Sequence, residues 1–178
     1  MSKLIIFPTD TVYGIGCHIF DLKNIDKIYE IKKRSKDKPL ACLCADLDQI
    51  KKIAYTDKRI ERIINEFLPG PLTLILKSKE EVIRKIGYET IGVRIPNNKT
   101  ALEILDNIGP MLTTSVNDSG EIPMNEYDDI VNRYSKVVDE IYPPCGHSSN
   151  LSSTVISCVD GFKVLRVGAI SLNDILNV

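Results

Sequence analysis

The chain has 178 residues, of which 43% are hydrophobic and 26% are charged, and its formal net charge is −1. This length and composition predict a single domain spanning residues 1–178 with a sizeable core. The near-neutral charge argues against a generally basic, nucleic-acid-binding surface, but it does not exclude a local basic patch. No apolar run approaches the roughly 20 residues that span a bilayer, and no signal-peptide pattern opens the chain. We therefore predict a cytoplasmic protein without a membrane partner.

The first predicted element is a strand at residues 4–7, which ends at Pro8 because proline cannot donate to a sheet ladder. A polar loop follows at residues 9–13. It is either an ordinary connection or a ligand-binding loop at a strand end. Gly14 and Gly16 then permit a turn or the close approach of a ligand.

Apolar residues at helical spacing and short apolar runs predict the remaining elements. Helices are predicted at residues 24–33, 46–54, 56–67 and 130–134, after Asn97 or Asn98 with Ala101, Leu102, Leu105 and Ile108 inward, and as a C-terminal turn capped by Ser171. Strands are predicted at residues 40–45, 72–77, 90–95, 111–116, 137–141, 154–157 and 163–166, and loops at 118–128 and 143–152. Asp21 or Asn24 is the predicted cap of the first helix, and Asp46 that of the second.

Strands and helices alternate along most of the chain, which predicts an α/β fold. The last two strands are separated by a short turn around Asp160-Gly161. Such hairpin spacing predicts a mixed sheet, not a purely parallel one.

The five cysteines predict buried free thiols and not a disulfide framework, because their number is odd and the predicted compartment is reducing. Cys42 and Cys44 lie two apart in a strand and should share one face. With two histidines in the chain, Cys145-Gly146-His147 is only a weak metal motif. We predict no metal site built from protein side chains.

Five cations fall within residues 32–38, at the end of the first predicted helix. They are either a solvated helix end, favoured by the helix dipole, or a polyanion-binding cluster. The P-loop sequence is absent, so a nucleotide bound here does not use that motif.

Polar side chains also occur at the ends of several predicted strands. Thr113, Ser115 and Asn117 share one face by the period of two, either as ligand contacts or as a turn-forming cluster. Arg94 lies within an apolar strand and needs an anion from the protein or from a ligand. Together with the hydroxyls near Ser153 and with Arg166, these strand ends predict one anion-binding site. No nucleophile–base set or carboxylate pair is evident, which favours phosphoryl or nucleotidyl transfer.

Seven motifs together carry a family resemblance. They are Pro-Thr-Asp-Thr-Val-Tyr-Gly-Ile-Gly at 8–16, Lys-x-Arg at 32–34, Pro-Gly-Pro-Leu-Thr at 69–73, Val-Arg-Ile-Pro at 93–96, Thr-Ser-Val-Asn-x-Ser-Gly at 114–120, Ser-Thr-Val at 153–155 and Leu-Arg-x-Gly-Ala-Ile at 165–170. In this order they resemble the YrdC/Sua5 family, the L-threonylcarbamoyladenylate synthases, in its short single-domain form. The resemblance spans about residues 4–170.

The resemblance implies a twisted, open mixed sheet with flanking helices and a concave, positively charged ligand-binding face. It implies the formation of L-threonylcarbamoyl-AMP and pyrophosphate from ATP, L-threonine and bicarbonate or CO2, with Mg2+ bound alongside the ATP. The product would serve the threonylcarbamoylation of adenosine 37 in tRNA. The implied partners therefore include tRNA and the tRNA threonylcarbamoyl-transferase complex.

The resemblance also implies roles for ten residues. Lys32 and Arg34 would be catalytic. The nucleotide would be bound by Arg34, Lys38, Ser115, Asn117 and Arg166, and threonine by Thr11, Arg94, Thr113 and Ser153, with Arg94 pairing its carboxylate.

This chain departs from the family pattern at several points. Only seven residues precede Pro8, where relatives usually have a helix and a strand, so apolar sheet surface is either exposed or covered by another element. Ser35 and Lys38 replace the common proline and asparagine, and Leu43 replaces a histidine near the threonine site of many longer members. Two rival hypotheses stay open: a non-catalytic RNA-binding module, and a relative that has lost this activity or acts in other carbamoyl chemistry.

Overall fold

A computed structural model describes residues 3–176 of the chain. Its strands are β1 (Ile5–Phe7), β2 (Gly14–His18), β3 (Ala41–Leu43), β4 (Leu72–Lys77), β5 (Thr90–Arg94), β6 (Met111–Ser115), β7 (Glu140–Ile141), β8 (Thr154–Ser157) and β9 (Lys163–Arg166). Its helices are α1 (Leu22–Ile31), α2 (Leu47–Ile53), α3 (Lys58–Phe67), α4 (Glu80–Ile86), α5 (Lys99–Ile108), α6 (Tyr127–Tyr134) and α7 (Leu172–Leu176). Among the described helices, none is long and apolar enough to span a bilayer.

The strands form one sheet in the order β7-β1-β2-β6-β3-β5-β4-β8-β9. The pairs β1–β7, β3–β5 and β4–β8 are parallel, whereas β1–β2, β2–β6, β3–β6, β4–β5 and β8–β9 are antiparallel. The predicted mixed α/β sheet with flanking helices is confirmed.

The two faces of the sheet are covered differently. Ile6 of β1 and Leu4, just before this strand, join the main core, which contains the buried apolar residues of α1, α2 and α3. Ile5 and Phe7 join a smaller cluster on the other face. The helix of that smaller cluster is α5, which contributes Ala101, Ile104 and Leu105. Thus α5 covers the apolar surface of β1, the surface for which the sequence left exposure open. Beside this cluster, the residues that the structure describes leave a cleft, which Leu43 of the cluster also lines.

Several predicted helix ends are confirmed by their caps. The side chain of Asp21, and not that of Asn24, caps α1 by accepting from the backbone N–H of Asn24. Asp46 caps α2 as predicted, and Asn98 caps α5. A side-chain oxygen near the first turn satisfies backbone N–H groups that have no partner within the helix.

Other predictions were wrong in detail. Helix α4 was not predicted, and α6 begins at Tyr127, inside the predicted loop 118–128. The strand predicted at residues 137–141 is reduced to β7. Ile108, predicted to point inward, is 37% exposed at the end of α5. The thiols of Cys17, Cys42 and Cys44 are buried as predicted, whereas Cys145 and Cys158 are half-buried.

Strand β2 was also missed, because its two glycines indicate a turn when read locally. The structure gives them a packing role: a Cβ atom at Gly14 would lie 2.7 Å from Thr113 Cγ2, and one at Gly16 would lie 2.6 Å from Thr113 Oγ1. These glycines therefore leave room for the Thr113 side chain on the neighbouring strand β6.

Gly16→Ala is expected to destabilise the protein by about 1–3 kcal/mol, because the added Cβ meets both Thr113 Oγ1 and, at 2.9 Å, the carbonyl oxygen of Leu112. Denaturant unfolding measures this loss. Gly92→Ala is the matched control, since its nearest contact is a Thr73 methyl group at 3.3 Å. A loss for Gly16→Ala no larger than that of the control would contradict the packing role.

Candidate functional site

The cleft beside the smaller cluster has a volume of about 390 Å³. Its lining includes small residues of neighbouring strands, among them Gly14, Ala41, Gly92 and Thr113. Of the ten residues that the sequence assigned to the site, seven line the cleft: Thr11, Arg34, Arg94, Thr113, Ser115, Ser153 and Arg166. The three others, Lys32, Lys38 and Asn117, are not part of its wall.

Arg94 at the end of β5 is buried and held from three directions. Its Nη2 lies 2.5 Å from Asp10 Oδ1, its Nη1 donates to Thr11 Oγ1 at 2.8 Å, and its Nε donates to the carbonyl oxygen of Gly70 at 3.0 Å. Burial lowers the pKa of Arg94, and the Asp10 carboxylate opposes that shift. The anion that the sequence required is therefore present in the protein. Because a guanidinium carries five N–H donors, Arg94 can still donate to a ligand in the cleft.

Lys32 lies behind the cleft wall. Its ammonium donates to the carbonyl oxygens of Ser115 at 2.5 Å and Asn117 at 2.8 Å, and to Asn117 Oδ1 at 2.8 Å. Burial, with a smaller contribution from the nearby Arg34, lowers the pKa of Lys32 to about 8. These bonds join the end of α1 to the end of β6.

Asn117 completes this connection. Its Oδ1 also accepts from Ser115 Oγ at 2.7 Å, and its Nδ2 donates to the carbonyl oxygen of Glu121 at 2.6 Å. Lys32, Ser115 and Asn117 thus form one hydrogen-bonded unit. Ser115 of this unit lines the cleft, and so does Arg34, two positions after Lys32.

Two arginines flank the cleft. Arg34 Nε donates to the carbonyl oxygen of Lys38 at 3.0 Å, and its Nη2 donates to that of Pro39 at 3.2 Å. Arg166 binds Ser153 twice, through Nε to the carbonyl oxygen at 3.0 Å and through Nη2 to Oγ at 3.2 Å. The side chain of Lys38 is exposed, and this residue supports the wall through its carbonyl oxygen.

Sequence reasoning missed three contributors to the site. Asp10 belongs to the predicted polar loop at residues 9–13, and the structure makes it the ion-pair partner of Arg94. Thr73 lines the cleft and lies 2.8 Å, Oγ1 to Oγ, from Ser153. Its place in the Pro-Gly-Pro-Leu-Thr motif was the available signal.

The third missed contributor is the loop at residues 143–152, which packs against the loop at 9–13. Ser149 N donates to the carbonyl oxygen of Asp10 at 2.9 Å, and Ser148 Oγ donates to that of Thr11. These contacts join residues more than 130 positions apart, and no local pattern announces them. They hold the Thr11 side of the cleft.

The cleft combines three guanidinium groups with several hydroxyls, and the only side-chain carboxylate described in contact with these guanidiniums is that of Asp10. The net charge of this set is positive, which suits a ligand with several negative charges. Fold and cleft together define an α/β protein with a positively charged cleft on one face of a mixed sheet.

Comparison with known proteins shows to which family this α/β protein belongs. A model of the Sua5/YciO/YrdC family, described as "Telomere recombination", matches residues 1–168. The chain belongs to this family. A Methanocaldococcus jannaschii protein provisionally named threonylcarbamoyl-AMP synthase is 36% identical over 168 residues, which cover 93% of this chain and 79% of the relative.

Two solved structures are similar over almost the whole chain. Pyrococcus abyssi Sua5 in complex with L-threonine has a TM-score of 0.90 and 31% identity, covering 98% of this chain and 53% of that protein. Escherichia coli YciO has a TM-score of 0.85 and 30% identity, covering 96% of this chain and 85% of that protein. The fold is therefore the YrdC-like fold that the resemblance implied. The chain spans only about half the length of the Pyrococcus relative.

Proposed function

We propose that this protein is an L-threonylcarbamoyladenylate synthase, a nucleotidyltransferase. The threonine amine bonds to the carbon of bicarbonate with loss of water, or to that of CO2 with loss of a proton, and N-carboxylated threonine forms. A carboxylate oxygen of its new N-carboxylate group then attacks the α-phosphorus of ATP. The bond from the α-phosphorus to the bridging oxygen breaks, and pyrophosphate leaves. The observation that carries the proposal is the single cleft in which Arg34, Ser115 and Arg166 adjoin Thr11, Arg94 and Ser153.

The two groups of residues suit the two substrates. We assign ATP to Arg34, Ser115 and Arg166, because guanidinium groups match phosphate oxygens with paired donors. Asn117 acts from behind the wall by orienting Ser115, and the exposed Lys38 adds a cation at the rim. Threonine is assigned to Thr11, Arg94, Thr113 and Ser153, whose donors and acceptors fit its carboxylate, amine and hydroxyl.

Catalysis in this proposal comes from orientation and charge. Arg34 offsets the negative charge that grows on the leaving pyrophosphate, in a site shaped before the substrates bind. Lys32 acts indirectly: its ammonium holds Ser115 and Asn117 in place and adds positive potential behind the phosphates. No covalent intermediate with the protein is required.

Mg2+ is proposed as the cofactor. The described residues contain no group of three His, Cys, Asp or Glu side chains arranged to hold a metal ion. Mg2+ often keeps several waters and binds through substrate phosphates, so ATP itself is the expected carrier. When bound, it supplies further neutralisation of phosphate charge.

The proposed product serves tRNA threonylcarbamoylation, so tRNA and the transferase complex are the proposed downstream partners and the cytoplasm the proposed location. Support for the activity comes from family membership and from relatives named threonylcarbamoyl-AMP synthase. Escherichia coli YciO, at 32% identity, is uncharacterised, which keeps a divergent activity as the rival hypothesis.

The test is pyrophosphate release by the purified protein with ATP and Mg2+. We expect release only when threonine and bicarbonate are both present, with loss on chelation by EDTA and recovery on adding Mg2+. Folded protein that releases none would overturn the proposal. Salt-sensitive tRNA binding that threonine and ATP leave unchanged would favour the RNA-binding module instead.

Arg34→Ala should weaken ATP binding about 30-fold, because a charge-assisted contact to phosphate is lost. Its stability should stay within about 0.5 kcal/mol of the wild type, since the side chain is only partly buried. Titration calorimetry measures the affinity. Lys36→Ala is the matched control from the same cation cluster, because Lys36 pairs with Asp26 away from the cleft wall. Equal affinities for both variants would refute the assignment of Arg34.

A further inference from the structure

Thr73 stands at one end of a chain of polar contacts along the cleft, with Ser153 at its centre and Arg166 at its other end. It is buried on β4, and its Oγ1 lies 2.8 Å from Ser153 Oγ. Ser153 Oγ in turn accepts from Arg166 Nη2 at 3.2 Å, and the Ser153 carbonyl oxygen accepts from Arg166 Nε at 3.0 Å. The chain therefore runs from β4 to β9.

The chemistry of these three groups restricts their hydrogen bonds. A guanidinium only donates, so Arg166 occupies one lone pair of Ser153 Oγ. If Thr73 donates to the second lone pair, the single hydroxyl proton of Ser153 is left for a group in the cleft. If Thr73 instead accepts, that proton points towards β4. The Thr73 hydroxyl thus decides whether Ser153 can donate to a ligand.

The rotamer of Thr73 is supported by its neighbour. The Thr73 methyl group lies above Gly92, where a built Cβ atom would be only 3.3 Å away. A glycine at this position leaves room for the methyl group, and the hydroxyl is then directed at Ser153. The strand register supports the same geometry, since Thr73 pairs with Val155 on the adjacent strand β8. Ser153 lies two positions before Val155 and therefore on the same face of the sheet.

We propose that Thr73 is a positioning residue that donates to Ser153 and so directs the Ser153 hydroxyl at the amino-acid substrate while Arg166 stays aligned for the nucleotide. The assignment of the two substrates rests on the proposed function. Thr73 acts through Ser153 and need not touch either substrate.

Calorimetric titration of threonine, in the presence of Mg2+ and a non-hydrolysable ATP analogue, tests this role. Thr73→Val keeps the shape of the side chain but removes the hydroxyl, and should weaken threonine binding about five- to tenfold. Thr73→Ser should recover most of the affinity. Thr56→Val is the control, because it removes a comparable bond, Thr56 Oγ1 to Glu61 Oε1 at 2.8 Å, outside the cleft.

A double-mutant cycle separates this role from simple packing. If Thr73 acts through Ser153, the double variant of Thr73→Val with Ser153→Ala should bind threonine no more weakly than Ser153→Ala alone. Additive losses, or a loss in Thr73→Ser equal to that in Thr73→Val, would overturn the proposal.

A crystal structure of Thr73→Val supplies a readout that needs no substrate. We expect the contact from Arg166 Nη2 to Ser153 Oγ to lengthen beyond hydrogen-bond range or the Ser153 rotamer to change. An unchanged Ser153–Arg166 pair would refute the role of Thr73. A wild-type protein that binds neither threonine nor ATP would refute the proposed function instead, and the variant structure would still decide the role of Thr73.

Discussion

Replacing Arg94 with methionine is expected to destabilise the fold by about 3–5 kcal/mol and to abolish the use of threonine. The change leaves the Asp10 carboxylate without its cation in a largely buried position, and removes the donor to Thr11 and to the Gly70 carbonyl oxygen. Denaturant unfolding measures the first effect. Threonine-dependent pyrophosphate release measures the second.

The partner variant Asp10→Asn makes this prediction sharper. When Asp10→Asn is combined with Arg94→Met, the carboxylate that lacks a countercharge is gone. Much of the lost stability should therefore return, while the double variant should still not use threonine. Full stability of Arg94→Met, within about 1 kcal/mol of the wild type, would contradict the structural role of the pair. Retained threonine use in the double variant would contradict the assignment of Arg94 to the substrate.

Replacing Lys32 with methionine should weaken ATP binding about 100-fold and lower stability by about 2 kcal/mol. Methionine fills the space of the lysine stem but removes the ammonium that donates to the carbonyl oxygens of Ser115 and Asn117. Asn117 Oδ1 also loses this donor but keeps the bond from Ser115 Oγ. The loss of stability is expected because Lys32 is buried. Lys33→Met is the control, because the Lys33 side chain is 78% exposed and pairs with Asp118. Similar losses in both variants would contradict the prediction.

The pH dependence of Lys32 supplies a second measurement. Burial lowers its pKa from 10.5 to about 8, so between these values the unfolded chain binds more protons than the folded one. The contribution of Lys32 to stability therefore rises with pH across this window and is constant below it. ATP affinity should change in the opposite direction and fall above about pH 8, because the cation is lost. Lys32→Met should remove both slopes, and slopes that persist would assign them to another group.

Local patterns in the sequence were sufficient for much of the fold. Apolar periodicity predicted α1, α2, α3 and α5, and most strands, because a helix or strand must bury one regular face whatever it packs against. Capping residues such as Asp46 were readable because a cap acts within three residues. Strand β2 was not readable, because the reason for its glycines is the Thr113 side chain almost 100 residues away.

The candidate site was predictable to a similar degree. Polar residues at strand ends identified Arg94, Ser115 and Ser153, and motif order indicated the family. The contact partner of each of these side chains could not be predicted from the sequence. Arg94 visibly needed an anion, yet nothing nearby in the chain identified Asp10, which lies 84 positions away.

The sequence by itself determined which residue types need burial, caps or countercharges, because these requirements follow from the chemistry of each side chain. Only the tertiary structure decided how they are met. It directed the Lys32 ammonium behind the wall, paired Arg94 with Asp10, covered Ile5 and Phe7 with α5, and set Thr73 beside Ser153. The physical reason is that a partner is selected by the register and order of strands, which long-range packing establishes and local propensity does not encode.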